Sequence, residues 1–360
     1  MSWNFYKKFF PTPYFLSAPS FGVDISDESI KFAELVMKKG KVQIGRNGER
    51  KIPTGVVELG KIKDGKKLEE TLISLRKEFG IKSVRVSLLE EQIYLYRLKL
   101  QKKGLESVRE SIELTLEEHI PIPAQDAIFD YDLAYEDDDN MEIQVAAIPK
   151  NIIENYLSVF QNASISVESF ELEAQAIARA VIKKGDLGTY MIVDFGERRT
   201  GIFIISRGIV MFTSTVDVGG VMLNEVIEKN FKVSREEAEK IKKQFGLQRN
   251  MEENKEIFSL LLNSVSILRD EVSKHFLYWH THKDQWGKDN PPIKKIILCG
   301  GDSNLIGLSE YFSVSLKVPV EMANVWVNVL NTDEYVPEVN FKRALSFGAA
   351  LGLALSDFEQ

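Results

Sequence analysis

The sequence predicts an α/β protein of two similar lobes, each opening on a β-hairpin. Three observations carry this expectation. First, a short pattern occurs twice, as Gly22-Val23-Asp24-Ile25-Ser26-Asp27 and as Ile192-Val193-Asp194-Phe195-Gly196-Glu197. Each copy reads as a strand, an Asp, a tight turn with a small residue, an acid and a second strand, and such internal repetition points to duplicated architecture. Second, the apolar run Lys295–Cys299 is turned by Gly300-Gly301 into a helical pattern. Third, residues 221–285 read as almost wholly helical.

The elements follow in order. Residues 1–20 are aromatic-rich and broken by Pro11 and Pro13. Strands are predicted at 21–25, 30–37 and 41–44. Leu68, Leu72, Leu75 and Phe79 give a helix closed by Gly80. Runs 84–89 and 93–100 read as strands, and 105–119 as an amphipathic helix stopped by Pro121. Residues 129–133 and 143–148 pair across the acidic turn Glu136–Asn140, and helices follow at 150–161 and 171–183. The second half opens with strands at 190–195, 200–205 and 208–213. After the helical stretch and the strand at 295–299 come a helix at 304–316 and a small-residue helix at 341–355.

Composition bounds the function. Lys and Arg number 46 against 53 Asp and Glu, a formal charge of −7 over 360 residues, which argues against a surface for polyanions. The single cysteine, Cys299, excludes an internal disulfide and a Cys-based zinc cluster, and fits a reducing compartment. No apolar run approaches the roughly 18 residues that would span a bilayer. The opening residues lack the pattern of a secretory signal. A cytoplasmic, multi-domain protein is expected.

The repeated hairpins suggest a chemistry. Polyphosphates are held by backbone N–H groups at turns where small residues permit close approach. Magnesium takes carboxylates, often through retained waters. Two facing turns, each with a carboxylate at its strand end, would clamp a nucleotide and its Mg²⁺, and Asp24 and Asp194 are the carboxylates assigned to that role. Lys31 alternates only approximately to the face of Asp24, yet as a point charge it would reach phosphate oxygens. Gly300 and Gly301, followed by Asp302, would let a flat adenosine lie against backbone near a helix N-terminus.

In their order these motifs resemble the actin-like ATPase superfamily, and more closely the PilM family of type IV pilus assembly proteins, relatives of FtsA. The resemblance runs from Phe21 to Leu355. Gly22 to Lys31, with Ser26, is similar to the first phosphate motif. Asp194, Gly196 and Thr200 resemble the second, and Gly219-Gly220 the connecting motif. Glu118–Pro123 with Phe129–Tyr131 is similar to a PilM signature. Glu239 and Lys242 fall on the segment that resembles the adenosine-contacting helix, and Gly300, Gly301 and Asp302 on the adenosine turn. Glu171 stands where related filament proteins keep an acid near the attacking water.

The resemblance implies an actin-like (ribonuclease H-like, duplicated) two-lobed α/β fold with an inserted FtsA-type subdomain. The implied first lobe is 21–92, 149–189 and 344–360, and the inserted subdomain 93–148. The second lobe is 190–220 and 291–343, with a helical subdomain at 221–290. The implied function is an ATP- and Mg-binding scaffold of the pilus inner-membrane platform, at most a weak ATPase. Its cleft beside the inserted subdomain would receive the cytoplasmic N-terminal tail of a PilN-like bitopic membrane protein, lined by Tyr94, Tyr96, Ile120, Pro121 and Ile122. A pilus assembly ATPase is a further implied partner, nucleic acid is not, and membrane contact is mainly indirect, through partners at the inner face.

Departures from the family pattern keep alternatives open. Ser26 and Asp27 stand where a Gly and a small or hydroxyl residue are usual, and Glu197-Arg198-Arg199 replace glycines and Thr. A scaffold that has lost nucleotide, an FtsA-like membrane-associated filament protein and a sugar-kinase-like phosphotransferase are the other readings. His275, His280 and His282 beside Tyr278, Trp279 and Trp286 read as an aromatic helix end rather than a zinc site, and Glu136–Asp139 as a solvated turn rather than a calcium loop. Trp3, Phe5, Tyr6, Phe9 and Phe10 with Lys7 and Lys8 could form a short interfacial anchor.

Overall fold

The computed structural model describes residues 20–358 except 39, 103, 104, 106, 249–253, 284–286, 330–336 and 338. The aromatic N-terminal segment and Trp286 lie outside the described residues. The chain divides into two units: residues 1–184, 325–338 and 347–360, and residues 185–324 and 339–346.

In the first unit, β1 (Phe21–Ile25) turns into β2 (Ser29–Lys38), and β3 (Lys41–Lys51) follows antiparallel. A small hairpin, β4 (Val57–Glu58) and β5 (Lys61–Ile62), leads to α1 (Gly65–Phe79). The Asp64 side chain accepts from the Lys67 N–H at the start of α1, and Gly80, at φ 66°, ends it in the left-handed conformation that glycine adopts without strain. Next come β6 (Ser83–Leu88), β7 (Tyr94–Gln101), α2 (Val108–His119), β8 (Ala127–Glu136) and β9 (Asn140–Pro149). Then α3 (Lys150–Asn162), β10 (Ser166–Leu172) and α4 (Glu173–Val181) complete the run.

The main sheet has the order β10-β6-β1-β2-β3, with β6 parallel to both β1 and β10. Leu68, Leu72 and Leu75 of α1 and Ile152, Val159 and Phe160 of α3 share its core. β7, β9 and β8 form a separate three-stranded sheet, closed on one face by Ile112 and Leu116 of α2. This layer covers the residues expected as the inserted subdomain, 93–148.

The second unit carries β11 (Thr189–Phe195), β12 (Thr200–Ser206), β13 (Ile209–Val216), α5 (Gly220–Phe231), α6 (Arg235–Phe245) and α7 (Lys255–Thr281). β14 (Lys295–Cys299), α8 (Leu308–Leu316), β15 (Val320–Met322) and α9 (Phe341–Ala344) follow. Its sheet order is β13-β12-β11-β14-β15, with β11 antiparallel to β12 and parallel to β14. Reading outward from each hairpin, the two sheets have the same connectivity, so the sequence repeat is realised as a repeated sheet. Finally α10 (Gly348–Leu355) returns to the first unit and is buried along its whole length.

Several expectations need correction. Residue 171 belongs to a strand, not a helix, because β10 pairs with β6 in parallel through Leu172 before α4 begins. The 304–316 helix starts only at Leu308, after Gly307 at φ 82°. The 341–355 helix is broken at Leu345–Phe347. There the Leu345 carbonyl accepts from the Gly300 N–H (3.1 Å) and Cys299 Sγ (3.3 Å), so it is turned away from a helical partner. Residues 325–329 group with the first unit rather than the second. Asn328 explains this, because its Nδ2 donates to the carbonyls of Arg179 (2.8 Å) and Ile182 (2.6 Å). Residues 185–189 group with the second unit, where Asp186 accepts from the Tyr190 hydroxyl (2.7 Å).

Candidate functional site

Strand register gathers the candidate residues of the first unit. Asp24 pairs with Lys31 across β1 and β2, and Glu171 pairs with Ser87 across β10 and β6. The Ser87 hydroxyl donates to Asp24 Oδ1 at 2.8 Å, which closes the row Lys31–Asp24–Ser87–Glu171 across four strands. Residues directly opposite in adjacent strands share a face, so Lys31 lies on the Asp24 side directly and not approximately. Asp24 is buried at 5% exposure. Glu171 is held at 2.6 Å by Arg179, which also donates to the Gly352 carbonyl (2.9 Å). Ser87 was not read from the sequence, although a hydroxyl between Val86 and Leu88 in an apolar strand is a signal of a buried polar partner.

The turn residues have other duties. Ser26 closes the β1–β2 turn on Ser29, donating its N–H (3.0 Å) and hydroxyl (3.1 Å) to the Ser29 carbonyl and accepting the Ser29 N–H (3.2 Å). Gly22 is small for a packing reason, since a Cβ there would lie 1.9 Å from the Ala350 carbonyl oxygen of α10.

In the second unit the candidates converge more tightly. Asp194 pairs with Cys299, and a Cβ on Gly300 (φ 90°) would sit 2.6 Å from Asp194 Oδ1. Gly301 has room, its nearest neighbour Ser346 Cβ lying 3.6 Å from an added Cβ. The Gly196 carbonyl accepts from the Gly220 N–H (3.1 Å), and the Glu197 carbonyl from the Val221 N–H (2.8 Å). Thr200, fully buried, donates its hydroxyl to the Val218 carbonyl at 2.6 Å. Gly219 lets this segment press on the Arg198 carbonyl, whose carbon would lie 2.3 Å from an added Cβ. These four residues, Gly196, Thr200, Gly219 and Gly220, therefore lock the second turn to the start of α5. Glu197 pairs with Arg235 of α6 at 3.2 Å, which absorbs its charge.

Beside them, the Lys242 ammonium, 4% exposed, contacts Asp302 at 2.6 Å and Glu239 at 2.8 Å. Burial raises the Asp302 carboxyl above the usual range, against the pull of Lys242. Burial also pushes Glu239 upward, but its hydrogen bonds to Lys242, Lys243 and Asn224 prevail and lower it from 4.5 to about 2. Asn224, which the sequence did not single out, donates Nδ2 to Glu239 at 2.6 Å, while its buried Oδ1 has no partner. An amide that must donate to a carboxylate has its oxygen fixed on the other side. An orphaned buried acceptor beside a polar cluster fits a nucleoside, whose ribose hydroxyls and exocyclic amine are donors. Because Glu239 is depressed on folding, its stabilising contribution is complete above its unfolded value of 4.5 and is lost as pH falls toward about 2. An acid titration of thermal stability is expected to show this loss between those values, and Glu239→Gln to flatten it.

The first unit also holds a groove of about 840 Å³, bounded by β5, the turn before β7, residues 122–126 and the start of α3. Tyr94 and Ile122 line it, with Ile152 and Tyr156, and so do lysines 61, 63 and 150 and the acids Glu91, Asp126 and Glu154. The other residues expected there lie elsewhere. Ile120 is buried in the core of the three-stranded layer, Pro121 is exposed outside the groove, and Tyr96 stacks on His119 with centroids 4.3 Å apart.

At the end of α7, His282 stacks on Tyr278 with centroids 3.8 Å apart, and His280 meets Phe276 in a tilted pair at 4.3 Å. Among the described residues no three His, Cys, Asp or Glu side chains gather as a metal cluster, and no helix is long and apolar enough to cross a membrane.

Comparison with known proteins gives this geometry its relatives. Part of the chain is 31% identical to cell division protein FtsA of Bacillus subtilis (strain 168) over 99 residues, which span 27% of this chain and 22% of that protein. Among solved structures, the PilM-PilN type IV pilus biogenesis complex superposes with a TM-score of 0.76 at 18% identity, covering 95% of this chain and 99% of that one. The ethanolamine utilization protein EutJ from Carboxydothermus hydrogenoformans gives 0.55 at 18% identity, covering 94% and 90%. MreB5 of Spiroplasma citri bound to ADP gives 0.52 at 14% identity, covering 87% and 94%. These likenesses show an actin-like fold. The family described as type IV pilus assembly protein PilM matches residues 22–358, nearly the whole chain, and the protein with these paired hairpins and inserted layer belongs to that family.

Proposed function

We propose that the protein is an actin-like, ATP- and Mg-binding scaffold of a type IV pilus inner-membrane platform, and that its groove receives the cytoplasmic tail of a PilN-like membrane protein. The observation that carries the tail reading is the groove beside the three-stranded layer, walled by Tyr94 and Ile122 and bearing charges of both signs. Its size suits an extended peptide with apolar anchors. A structural relative was solved as a PilM-PilN complex. A synthetic peptide of the PilN-like tail is expected to bind the full chain in fluorescence anisotropy. Ile122→Glu should weaken that binding by about tenfold or more, since it puts a charge where an apolar anchor of the peptide would be buried. Wild-type affinity in this variant would remove the groove from the proposal.

In the first unit, Asp24 would hold magnesium through a bound water, with Lys31 near phosphate oxygens; in the second unit, Asp194 would do the same, with Glu239, Asn224, Gly300 and Gly301 around the nucleoside. The magnesium, when bound, neutralises phosphate charge. The protein's own part is to hold Asp24 by Ser87 and to keep Glu239 ionised through Lys242. Glu171, already paired with Arg179, would orient water at most slowly, in keeping with a weak ATPase. Peripheral attachment at the inner membrane face through the partner follows from the same reading.

A second reading, a scaffold without nucleotide, is favoured by one specific observation. The N–H groups of Gly220 and Val221 at the start of α5 are spent on the carbonyls of Gly196 and Glu197. Calorimetry with Mg-ATP separates the two. Binding that Asp24→Ala or Asp194→Ala weakens by about tenfold or more supports the first reading, the scale of losing one charged contact. No heat with the wild-type chain establishes the second.

A further inference from the structure

Residues 87–92, from the end of β6 into the turn before β7, are tied to three different parts of the first unit. At one end, the Ser87 hydroxyl holds Asp24 Oδ1 at 2.8 Å. In the middle, the buried Glu90 carboxylate accepts the Ala174 N–H through Oε1 at 2.7 Å. At the other end, buried Gln92 donates Nε2 to the Leu59 carbonyl at 2.6 Å, and together with Glu91 it lines the groove. Residues 90–92 form one 3₁₀ turn between extended Leu89 and Ile93, closed by Gln92 N–H to Leu89 (3.1 Å) and Ile93 N–H to Glu90 (3.0 Å). The turn contains no glycine and is pinned within itself as well as at both ends.

The contact at Ala174 matters because α4 has no cap of its own. Leu172 precedes its first residue and offers no side-chain acceptor. First-turn N–H groups have no intrahelical partner and need one from elsewhere. Glu90 supplies it from a different strand connection, as a carboxylate at the positive end of the helix. The same helix carries Arg179, which holds Glu171 at 2.6 Å, and Glu171 is the register partner of Ser87. Groove wall, α4 and the Asp24–Ser87–Glu171 row are thus joined through one short turn. A second link runs beside it. Tyr156 lines the groove, and its hydroxyl donates to the Gly60 carbonyl at 3.1 Å, one residue from the Leu59 carbonyl that Gln92 holds.

We infer that Glu90 is a positioning residue that couples the groove wall to α4 and to the carboxylate row, so that displacement of the wall at Gln92 loosens the N-terminus of α4 and the hold on Asp24 and Glu171. The functional meaning of this coupling rests on the groove and the row being the tail and phosphate sites proposed above; the coupling itself is a property of the chain alone.

The first test therefore needs no ligand. Amide hydrogen exchange is followed by NMR at Ala174 and across residues 173–181 in the full chain, for wild type, Gln92→Ala, Glu90→Ala, Glu90→Gln and Lys61→Ala. Glu90→Ala is expected to speed exchange at Ala174 by about tenfold or more, the scale of losing a hydrogen bond to a charged group. Glu90→Gln keeps an acceptor oxygen and should restore most of the protection. Gln92→Ala, which leaves Glu90 intact, should also speed exchange at Ala174, whereas Lys61→Ala, on the same groove but off the turn, should not. Unchanged exchange at Ala174 in Gln92→Ala, or an equal rise in Lys61→Ala, overturns the inference.

The second test adds a synthetic PilN-like tail peptide and Mg-ATP. Saturating peptide should shift the Mg-ATP affinity of the wild type by about fivefold or more, and Glu90→Ala should abolish the shift while each ligand still binds alone. If both ligands bind the wild type without influencing each other, the inference fails. If one of them does not bind at all, the reading of its site fails, and the exchange experiment still decides the coupling.

Discussion

Gly352→Ala is expected to destabilise the first unit by about 3 kcal/mol, the upper end of what overpacking costs. An added Cβ at this position would lie 1.7 Å from the Ala176 carbonyl oxygen of α4. That oxygen belongs to helix backbone, so relief requires moving α4 or α10 as a body. Neither is free to move. α10 also presses on β1, where a Cβ added to Gly22 would lie 1.9 Å from the Ala350 carbonyl oxygen, and the Gly352 carbonyl accepts from Arg179. Gly65→Ala, in the first turn of α1, is the matched control. Its nearest neighbour is Val159 Cγ2 at 3.4 Å, an ordinary contact. Removing a helical glycine there should stabilise by about 0.5–1 kcal/mol. Urea unfolding of the two variants measures both. A Gly352→Ala protein within about 0.5 kcal/mol of wild type, the scale of a surface change, would show that α4 and α10 do not pack as described.

Lys242→Met should cost about 3–5 kcal/mol, the range for removing one partner of a buried ion pair. The methionine fills the space of the stem but leaves Asp302, at 14% side-chain exposure, without its cation. The pH dependence distinguishes this account from simple misfit. The Asp302 carboxyl is already raised above its usual 3.8 by burial, and losing Lys242 raises it further. A group whose folded value is raised destabilises the fold when ionised, and that penalty disappears as pH falls through the folded value. The variant should therefore regain stability on mild acidification, while the wild type loses the Glu239 contribution only at lower pH. Lys242→Met combined with Asp302→Asn should recover part of the loss at neutral pH. A pH-independent deficit in the single variant would mean that the methionine is misfitted and the charge is not the cause.

Much of the site was legible because it is local. Asp24 and Asp194 each stand at the end of an apolar run before a tight turn, and Gly300-Gly301 follows the next apolar run of the second sheet. Ser87 and Asn224 were missed, since a hydroxyl in an apolar strand signals a buried polar partner without naming it, and nothing local distinguishes an asparagine in a helix. Their roles come from partners 63 and 15 residues away. The small residues misled in part. Gly22, in the stretch resembling the first phosphate motif, and Gly219 and Gly220, in that resembling the connecting motif, were expected at the cofactor, but what fills the space beside them is α10, the Arg198 carbonyl and the Asp302 carboxylate. Glycine reports close approach without saying of what.

What the sequence by itself determined is the repeated hairpin, the alternation of strand and helix and the carboxylate at each first strand's end, because hydrophobic period and turn chemistry act over a few residues. Tertiary structure alone decided which carbonyls and carboxylates fill the space beside each glycine, that Lys31, Asp24, Ser87 and Glu171 share one row, and that the 341–355 helix breaks where Leu345 turns to Gly300. Those outcomes depend on register between distant strands, and register is set by the packing of whole faces rather than by any one segment.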